Sequence, residues 1–306
     1  MTEPSGDRGM TEVPTVAHRS RLRTTVETVL RNRLAVVGLI ILGALIVTAI
    51  FAPLIAPHGI NEIDIANRLS GPSTDHWFGT DDVGRDVFSR VVIASRVSLQ
   101  VGLISVGIAL ALGVPVGLLS GFYGGKVDSI LMRLMDILFS VPAIVLAIAI
   151  VAALGPNLVN AMIAIGIVYT PIFARITRGS VLSLRDAVFI RAVRSLGAND
   201  ARIVISHILP NVIAPIIVQT SLSLAFAILA EAALSFLGLG VQPPNPAWGR
   251  MLSDGRGFFQ QAPWMAIFPG LAIFVTVFAF NAVGDGLRDA LDPQQRSVIE
   301  ARGAGE

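Results

Sequence analysis

The densest group of charged side chains in this sequence occupies residues 81–86, where Asp81, Asp82, Arg85 and Asp86 fall close together. Such a group can attract and pair with a partner of complementary charge. Because glycine and aspartate favour turns for local reasons, the segment is also typical of a rigid turn. The carboxylate spacing does not match a calcium-binding loop. Two interpretations stay open, a charged contact surface and a turn.

Residues that support catalysis or metal binding are otherwise sparse. The chain has no cysteine and four histidines, which are dispersed along the sequence at positions 18, 58, 76 and 207. His207 has no neighbouring histidine or cysteine, and we predict no metal site. The sequence has neither an HExxH motif nor a Gly-x-Ser-x-Gly elbow, and residues 124–128 lack the spacing of a phosphate-binding loop. We therefore predict no catalytic site, and no cofactor bound by this chain.

Glu231 is the one carboxylate placed well inside an apolar run of the sequence. Ionisable residues in membrane-spanning helices usually face the bundle interior and have a function. At 1.5 Å per residue, Glu231 lies about 30 Å along a helix from Pro210, near the end of a span. Three interpretations stay open: the side chain lines a pathway, bonds to a neighbouring helix, or reaches water.

The elements that must position these residues are membrane-spanning helices. Of the 306 residues, 53% are hydrophobic and 14% are charged, whereas a soluble domain has about 25% charged residues. Mean hydropathy is +0.72, and the apolar residues form runs near the ~20 residues needed to span a bilayer. The small net charge of +2 gives no indication of a nucleic-acid partner. We predict an all-α, polytopic membrane protein in contact with lipid.

Six spans are predicted, and they divide the chain into tails, loops and a core. The spans cover about residues 34–56, 98–122, 133–154, 158–176, 211–239 and 264–283. A basic N-terminal tail covers 1–33, a loop with a surface helix from Asp82 onward covers 57–97, a five-helix core covers 98–290, and a C-terminal tail covers 291–306. In the second span, Gly113, Gly117 and Gly121 recur every four residues, a pattern that lets helices pack closely in lipid.

Residues 180–209 interrupt the apolar pattern between the fourth and fifth spans. Apolar side chains recur there every three or four positions, as expected of an amphipathic helix; they are Val181, Leu184, Val188, Ala192 and Leu196. Gly197 suits the left-handed conformation that ends a helix, and Asn199 or Asp200 suits the N-cap of a second short helix. Pro210 lacks an N–H and suits the first turn of the span that follows.

The distribution of positive charge predicts the orientation of the spans. With six spans, both termini and the loops at 123–132 and 177–209 share one side, which holds 17 of the 23 Lys and Arg residues. Because basic residues concentrate in cytoplasmic loops, this side is predicted to be cytoplasmic. The charged segment 81–86 then faces the opposite side.

The segment 180–209 resembles the cytoplasmic coupling loop of ATP-binding-cassette importers. The family pattern is Glu-Ala-Ala, three residues, Gly, nine residues, Ile, one residue and Leu-Pro. Here Arg191-Ala192-Val193, Gly197, His207 and Leu209-Pro210 occupy these places, so the Glu and the Ile are replaced. Together with segments 79–90, 234–240 and 284–293, the chain is similar, over about residues 27–296, to C-type permease subunits of peptide/nickel importers.

This resemblance implies a type I importer permease fold with six transmembrane helices and a coupling-helix loop. It also implies a heterodimer with a B-type permease subunit, two cytoplasmic ATPase subunits that bind ATP and Mg, and an extracytoplasmic substrate-binding protein. The residues expected to couple to the ATPases are Phe189, Arg191, Ala192, Arg194, Leu196, Gly197, Asp200, His207 and Pro210. Those expected at an extracytoplasmic entrance, in contact with the binding protein, are Asp81, Asp82, Arg85 and Asp86.

The implied function is that of a permease subunit, not an enzyme, that forms half of a pathway for peptides or related small solutes. It implies a bacterial-type cell membrane with both termini cytoplasmic, and it leaves dipeptides, oligopeptides, nickel chelates, glutathione and haem open as solutes. The alternative is an ion-coupled secondary transporter. That class usually has repeated halves with broken helices and a coupling-ion site, and the sequence has no such repeat.

Overall fold

A computed structural model describes residues 21–291, and this part of the chain is almost entirely helical. In chain order the helices are α1 (Arg21–Arg31), α2 (Arg33–Ile55), α3 (Val87–Tyr123), α4 (Gly125–Phe139), α5 (Ala143–Leu154), α6 (Leu158–Leu184), α7 (Val188–Ser195), α8 (Asp200–Arg202), α9 (Leu209–Phe236), α10 (Trp248–Gly255) and α11 (Trp264–Leu291). A π-helical segment, Ile203–Ile208, joins α8 to α9. The predicted C-terminal tail after Leu291, where α11 ends, and the predicted N-terminal tail before Arg21 lie outside the described residues.

The described residues contain five helical stretches long and apolar enough to cross a membrane, or six if the bent pair α4–α5 counts as one span. The five are α2, α3, α6, the stretch Asp200–Phe236 that contains α9, and α11. They correspond to the first, second, fourth, fifth and sixth predicted spans. The prediction of an all-α polytopic membrane fold is therefore confirmed.

The second predicted span begins earlier than its hydropathy indicates. α3 runs from Val87 to Tyr123 as one helix of 37 residues, so the predicted surface helix and the span are continuous. The first turns of α3 bury Val87, Val91 and Ala94 in one apolar cluster with residues of α10 and α11. The predicted separation of a surface helix from the following span is therefore wrong, because α3 has no break near residue 97.

The third predicted span is not one straight helix. α4 and α5 meet at 88°, and residues Ser140–Pro142 separate them. Proline disfavours the helical conformation in the residue before it and lacks a donor, so the break occurs where Pro142 stands. The predicted loop at 123–132 is also wrong, since α4 begins at Gly125.

Charged side chains attach α4 to the neighbouring helices. Asp128 binds the Arg178 guanidinium of α6 through two hydrogen bonds of 2.6 Å and accepts the hydroxyl of Ser120 on α3. About two turns farther along α4, Asp136 accepts the guanidinium of Arg175 of α6 at 2.7 Å. Bidentate arginine–carboxylate pairs fix geometry strongly. α4 is thereby held against the ends of α3 and α6.

The stripe Gly113, Gly117 and Gly121 brings α3 into backbone contact with α6. A Cβ atom added at Gly113 would lie 2.6 Å from the carbonyl oxygen of Thr170, and one added at Gly121 would lie 2.7 Å from the Cβ of Val181. No larger residue fits such distances without moving a helix. The glycines therefore set the separation of the two helices, as the small-xxx-small pattern predicts.

We expect Gly113→Ala to destabilise the protein, because the added methyl group meets the backbone of α6, which cannot rotate away. Overpacking of this kind costs about 1–3 kcal/mol. Gly107→Ala is the matched control on the same helix, since a Cβ there meets no atom within 4 Å. The measurement is the thermal unfolding midpoint in detergent or lipid. Equal midpoints for the two variants would contradict the packing role.

Two apolar clusters tie the loops to the ends of α3. The larger cluster contains residues of α3, α5, α6 and α9, and it includes Ile190, Ile203 and Ile208 from the segment between the fourth and fifth spans. The smaller cluster joins the first turns of α3 to α9, α10 and α11. Because α3 takes part in both clusters, the segments at its two ends are attached to one helix.

Candidate functional site

The loop at the N-terminal end of α3 is built around Asp81. One oxygen of its carboxylate accepts the backbone N–H groups of Val83 at 3.0 Å and Arg85 at 2.9 Å, and the other accepts Nε of Arg85 at 2.6 Å. Gly84 has φ +84°, and a Cβ there would collide with the carbonyl oxygen of Asp64. The segment is therefore a tight turn whose conformation requires glycine at this position.

Asp86 also serves the internal structure of this loop. Its carboxylate, almost fully buried, caps α3 through the Ser89 N–H at 2.7 Å and lies 3.0 Å from Nδ1 of His76. The structure thus separates the four predicted entrance residues. Asp81 and Asp86 are buried and bonded within the loop, whereas Asp82 and Arg85 line an open cavity.

Charged side chains from two segments that are far apart in the sequence line that cavity. It has a volume of about 190 Å³ and is lined by Asp82, Arg85, Arg90, Pro243, Asn245, Arg250 and Asp254. Arg250 and Asp254 form an ion pair of 3.0 Å on α10, and burial raises the pKa of the Asp254 carboxyl. We call this group of residues the charged pocket. Three guanidinium groups and two carboxylates can receive both ends of a zwitterion or a charged side chain.

Arg90 links the two loops beneath the charged pocket. Its side chain is buried and donates to the carbonyl oxygens of Ile60 at 2.6 Å and Pro244 at 3.5 Å, one in each loop. It also lies 3.9 Å from the Asp81 carboxylate. Arg90, Arg250 and Asp254 were not predicted as site residues from the sequence. The sequence does contain one indication, because Arg90 is a charged residue in the first turn of α3, on a helix face that is otherwise apolar.

The segment Val188–Pro210, which we call the helical island, lies beyond the other end of α3. Among the predicted coupling residues, Phe189, Arg191, Ala192, Arg194, Leu196, Gly197, Asp200 and Pro210 are exposed, and His207 is half-buried. Val188 and Leu196 are 74% and 87% exposed. Apolar side chains so open to solvent, beside arginines, are typical of a surface that a partner covers.

The helical island is nevertheless held firmly. Ile190, Ile203 and Ile208 are fully buried in the main core. Arg194 lies over the Phe122 ring near the end of α3, with 5.6 Å between its guanidinium carbon and the ring centroid. The buried isoleucines of the helical island therefore point inward, while its predicted coupling residues point outward. The single amphipathic helix expected from Val181 to Leu196 is wrong, because α6 ends at Leu184 and α7 begins at Val188.

The predicted turn inside the island is present. Gly197 has φ +81° and ends α7, and Asn199 caps α8 by accepting the Arg202 N–H at 2.8 Å. Pro210 follows the π-helical segment and stands at the start of α9. Because a proline cannot donate a hydrogen bond and crowds the preceding turn, the widened turn accommodates it without a break.

Glu231 is buried within α9 and is not exposed to water in the described chain. Its Oε1 accepts the Ser235 hydroxyl at 2.5 Å, and the Ser235 oxygen accepts the N–H of Val241 at 3.2 Å. The carboxyl therefore helps to shape the turn after α9. The interpretation in which Glu231 reaches water is wrong.

An apolar cavity of about 230 Å³ lies beside Glu231, between α5, α6 and α9. Its lining includes Ala147, Tyr169, Phe226 and Ala230, but not Glu231. The sequence did not indicate this cavity, since its walls come from three helices of ordinary apolar composition.

The histidines are less dispersed in space than in sequence. His58 and His76 lie together with Asp86, and one ligand atom from each falls within 4.8 Å of the others. His207 lies in the π-helical segment of the helical island and belongs to no group of three or more metal-ligating side chains among the described residues. The expectation of isolated histidines is therefore wrong for two of the four.

The chain matches two family models and the fold of a solved transporter. A family model described as "Binding-protein-dependent transport system inner membrane component" matches residues 113–297. A second, "N-terminal TM domain of oligopeptide transport permease C", matches residues 20–72. The fold is similar to that of a permease chain in inward-facing structures of the MetNI methionine ABC transporter, with a TM-score of 0.55 and 18% identity over 66% of this chain and 96% of that one.

Three transport permease proteins match over most of the chain. The dipeptide transport system permease protein DppC of Alkalihalophilus pseudofirmus is 54% identical, over 87% of this chain and 88% of the relative. The glutathione transport system permease protein GsiD of Pectobacterium atrosepticum is 46% identical, over 88% and 89% of the two chains. The probable D,D-dipeptide transport system permease protein DdpC of Escherichia coli K12 is 46% identical, over 85% and 88%. The chain therefore belongs to the inner membrane components of binding-protein-dependent transport systems, as a permease subunit of an ABC importer.

Proposed function

We propose that this chain imports dipeptides or closely related small peptides, as one of two unlike permease subunits in an ATP-driven complex. A B-type permease subunit completes the pathway, two cytoplasmic ATPase subunits bind ATP and Mg, and an extracytoplasmic binding protein delivers the solute. The observation that carries the coupling role is the helical island, whose anchors are buried in the core while Val188, Phe189 and Leu196 are exposed. The relatives that transport dipeptides support the choice of solute.

Uptake by the reconstituted complex tests this proposal. Proteoliposomes that contain both permeases and the ATPases, supplied with loaded binding protein, should accumulate a labelled dipeptide only with internal ATP and Mg. Dissipation of ion gradients by ionophores should leave uptake unchanged. Uptake that persists without ATP but stops with the ionophores would instead support an ion-coupled secondary transporter.

The proposed orientation places both termini and the helical island in the cytoplasm, and the charged pocket outside. Cysteine labelling is well suited to this chain because it has no native cysteine. In intact cells, an impermeant thiol reagent should label Asp75→Cys and should not label Ser195→Cys, although both positions are exposed. Labelling at Ser195→Cys in sealed cells would reverse the orientation.

The proposed entrance role of the charged pocket predicts that Asp82→Lys reduces uptake by about tenfold at low salt, because charge steering acts on the association rate. Asp82 lines the pocket and is partly exposed, so the fold should survive. Asp75→Lys is the matched control, since it changes the charge equally on an exposed part of the same loop. Equal uptake by both variants at low and high salt would leave the segment with a structural role only. Charge reversal at Asp86 is unsuitable, because its carboxylate caps α3.

A further inference from the structure

We propose that His58, His76 and Asp86 bind a zinc ion on the same side of the membrane as the charged pocket. The three residues come from separate stretches: His58 follows α2, His76 precedes the turn at Asp81, and Asp86 caps α3. A bound ion would join these stretches at one point. This assignment does not depend on which solute the importer carries.

The distances among the ligand atoms suit a first-row divalent ion. Nδ1 of His76 lies 3.0 Å from one oxygen of Asp86, and Nδ1 of His58 lies 3.8 Å from the other. In a tetrahedral zinc site with ligands at about 2.0–2.2 Å, neighbouring ligand atoms lie about 3.3–3.6 Å apart. The two observed distances fall on either side of this range and run to different oxygens of Asp86, and all three ligand atoms lie within 4.8 Å of one another. Side-chain rotations that bring the two imidazoles toward one carboxylate oxygen would complete the site.

One nitrogen atom in the cluster has no other partner. Nδ1 of His58 is buried and makes no hydrogen bond, because its 3.8 Å distance from Asp86 is too long for one. Buried polar atoms in native proteins are generally satisfied, and an orphaned one calls for an ion or a water molecule. The competing explanation, a plain His76–Asp86 hydrogen bond, accounts for two of the three residues and leaves His58 without a role.

The surroundings orient the ligands. The Ser89 N–H donates to the Asp86 carboxylate at 2.7 Å, and the Ser89 hydroxyl accepts the backbone N–H of His58 at 3.2 Å. Hydrogen bonds of this kind fix metal ligands in place. The two imidazole rings lie side by side, with their centroids 4.8 Å apart. Ser89 therefore holds both the carboxylate and the main chain of one histidine.

The donor set favours zinc over calcium or magnesium, which prefer oxygen ligands. Two imidazoles and one carboxylate supply three positions, and a water molecule can supply the fourth. The side chains of His58 and His76 are 32% and 16% exposed, so an ion can reach the site from solution. The carboxylate, in contrast, is buried, which would strengthen its attraction for the cation.

The test is zinc binding by the purified complex, isolated through an affinity tag without histidines and stripped with a chelator. Zinc per complex is measured by elemental analysis after dialysis at fixed pH, for wild type, His58→Gln and His76→Gln. We expect wild type to bind one zinc ion more than either variant at low zinc concentration. The loss of one ligand should weaken the site at least about tenfold, the lower bound for disturbed supporting residues.

His207→Gln is the matched control, because it removes a histidine far from the cluster and should keep wild-type zinc binding. Thermal unfolding gives a second measurement, since an ion that binds the folded state raises the midpoint. Zinc should raise the midpoint of wild type and His207→Gln but not of His58→Gln. Equal zinc content in wild type and both cluster variants would overturn the proposal. So would a midpoint that His58→Gln lowers equally with zinc and with chelator, because the histidine would then act without a metal.

Discussion

Replacement of residues 189–200 by a flexible Gly/Ser linker that retains Ile190 is expected to abolish peptide uptake while ATP hydrolysis continues. The helical island can transmit force only if it is stiff and set at a fixed angle. Its stiffness comes from α7 and from the contact of Arg194 with Phe122, and its angle comes from the left-handed Gly197. A Gly/Ser chain behaves as a random coil and removes both. Retaining Ile190 keeps the buried anchor in the core.

Gly197→Val is a single substitution that tests the same idea. At φ +81° a side chain costs about 1–2 kcal/mol or distorts the turn. A Cβ there meets no atom within 4 Å, so any effect arises from the backbone and not from a collision. Gly257→Val is the matched control, since that position is equally open but has no left-handed φ.

The measurements are co-purification of the ATPase subunits, ATP hydrolysis stimulated by the loaded binding protein, and peptide uptake. We expect the linker variant to lose uptake and stimulation, Gly197→Val to reduce both, and Gly257→Val to match wild type. A linker variant that retains its ATPases and transports at the wild-type rate would show that coupling takes place elsewhere.

Arg90→Met is expected to cause the largest loss of stability among single substitutions at the charged pocket. The Arg90 guanidinium is buried, bonds to the carbonyl oxygen of Ile60 at 2.6 Å, and faces the Asp81 carboxylate. Methionine fills a similar volume but leaves that carbonyl oxygen unpaired, whereas the Asp81 carboxylate keeps its hydrogen bonds to Val83 and Arg85. A buried acceptor that loses its donor costs about 1–3 kcal/mol.

Arg96→Met is the control for Arg90→Met, because Arg96 is an exposed arginine on the same helix. Thermal unfolding of the complex in lipid should show a lower midpoint for Arg90→Met and little change for Arg96→Met. Uptake should fall with stability, since Arg90 joins the loops that surround the pocket. Similar midpoints for both variants would mean that the buried guanidinium contributes no net stability.

Local patterns in the sequence predicted the features that depend on neighbouring residues. Hydropathy located the spans, four-residue spacing located the glycine contact with α6, and the chemistry of Gly197 and Asn199 located the turn in the helical island. Each of these depends on a few consecutive turns of helix. A pattern that extends over so few residues can be recognised in the sequence without knowledge of the three-dimensional fold.

The sequence did not predict features that depend on residues far apart in the chain. Hydropathy summed over residues 133–154 does not reveal the 88° bend between α4 and α5, because the two helices together are apolar enough to count as one span. The charged pocket joins Arg85 to Arg250 and Asp254, and the histidine cluster joins His58 to Asp86. Only the packing of α10 and of the 57–86 loop around the start of α3 brings these side chains together. The spacing of these residues along the chain does not predict that their side chains meet.

The uninterrupted course of α3 has a mechanical consequence. A helix of 37 residues is about 55 Å long, with the loop of the charged pocket at one end and the Phe122–Arg194 contact at the other. A tilt of about 5° at the island end carries the far end of a rod of this length sideways by about 5 Å. That displacement is as large as the distance between the two imidazole rings. The length of α3 therefore converts a small change of angle at the helical island into a displacement of several ångströms at the charged pocket.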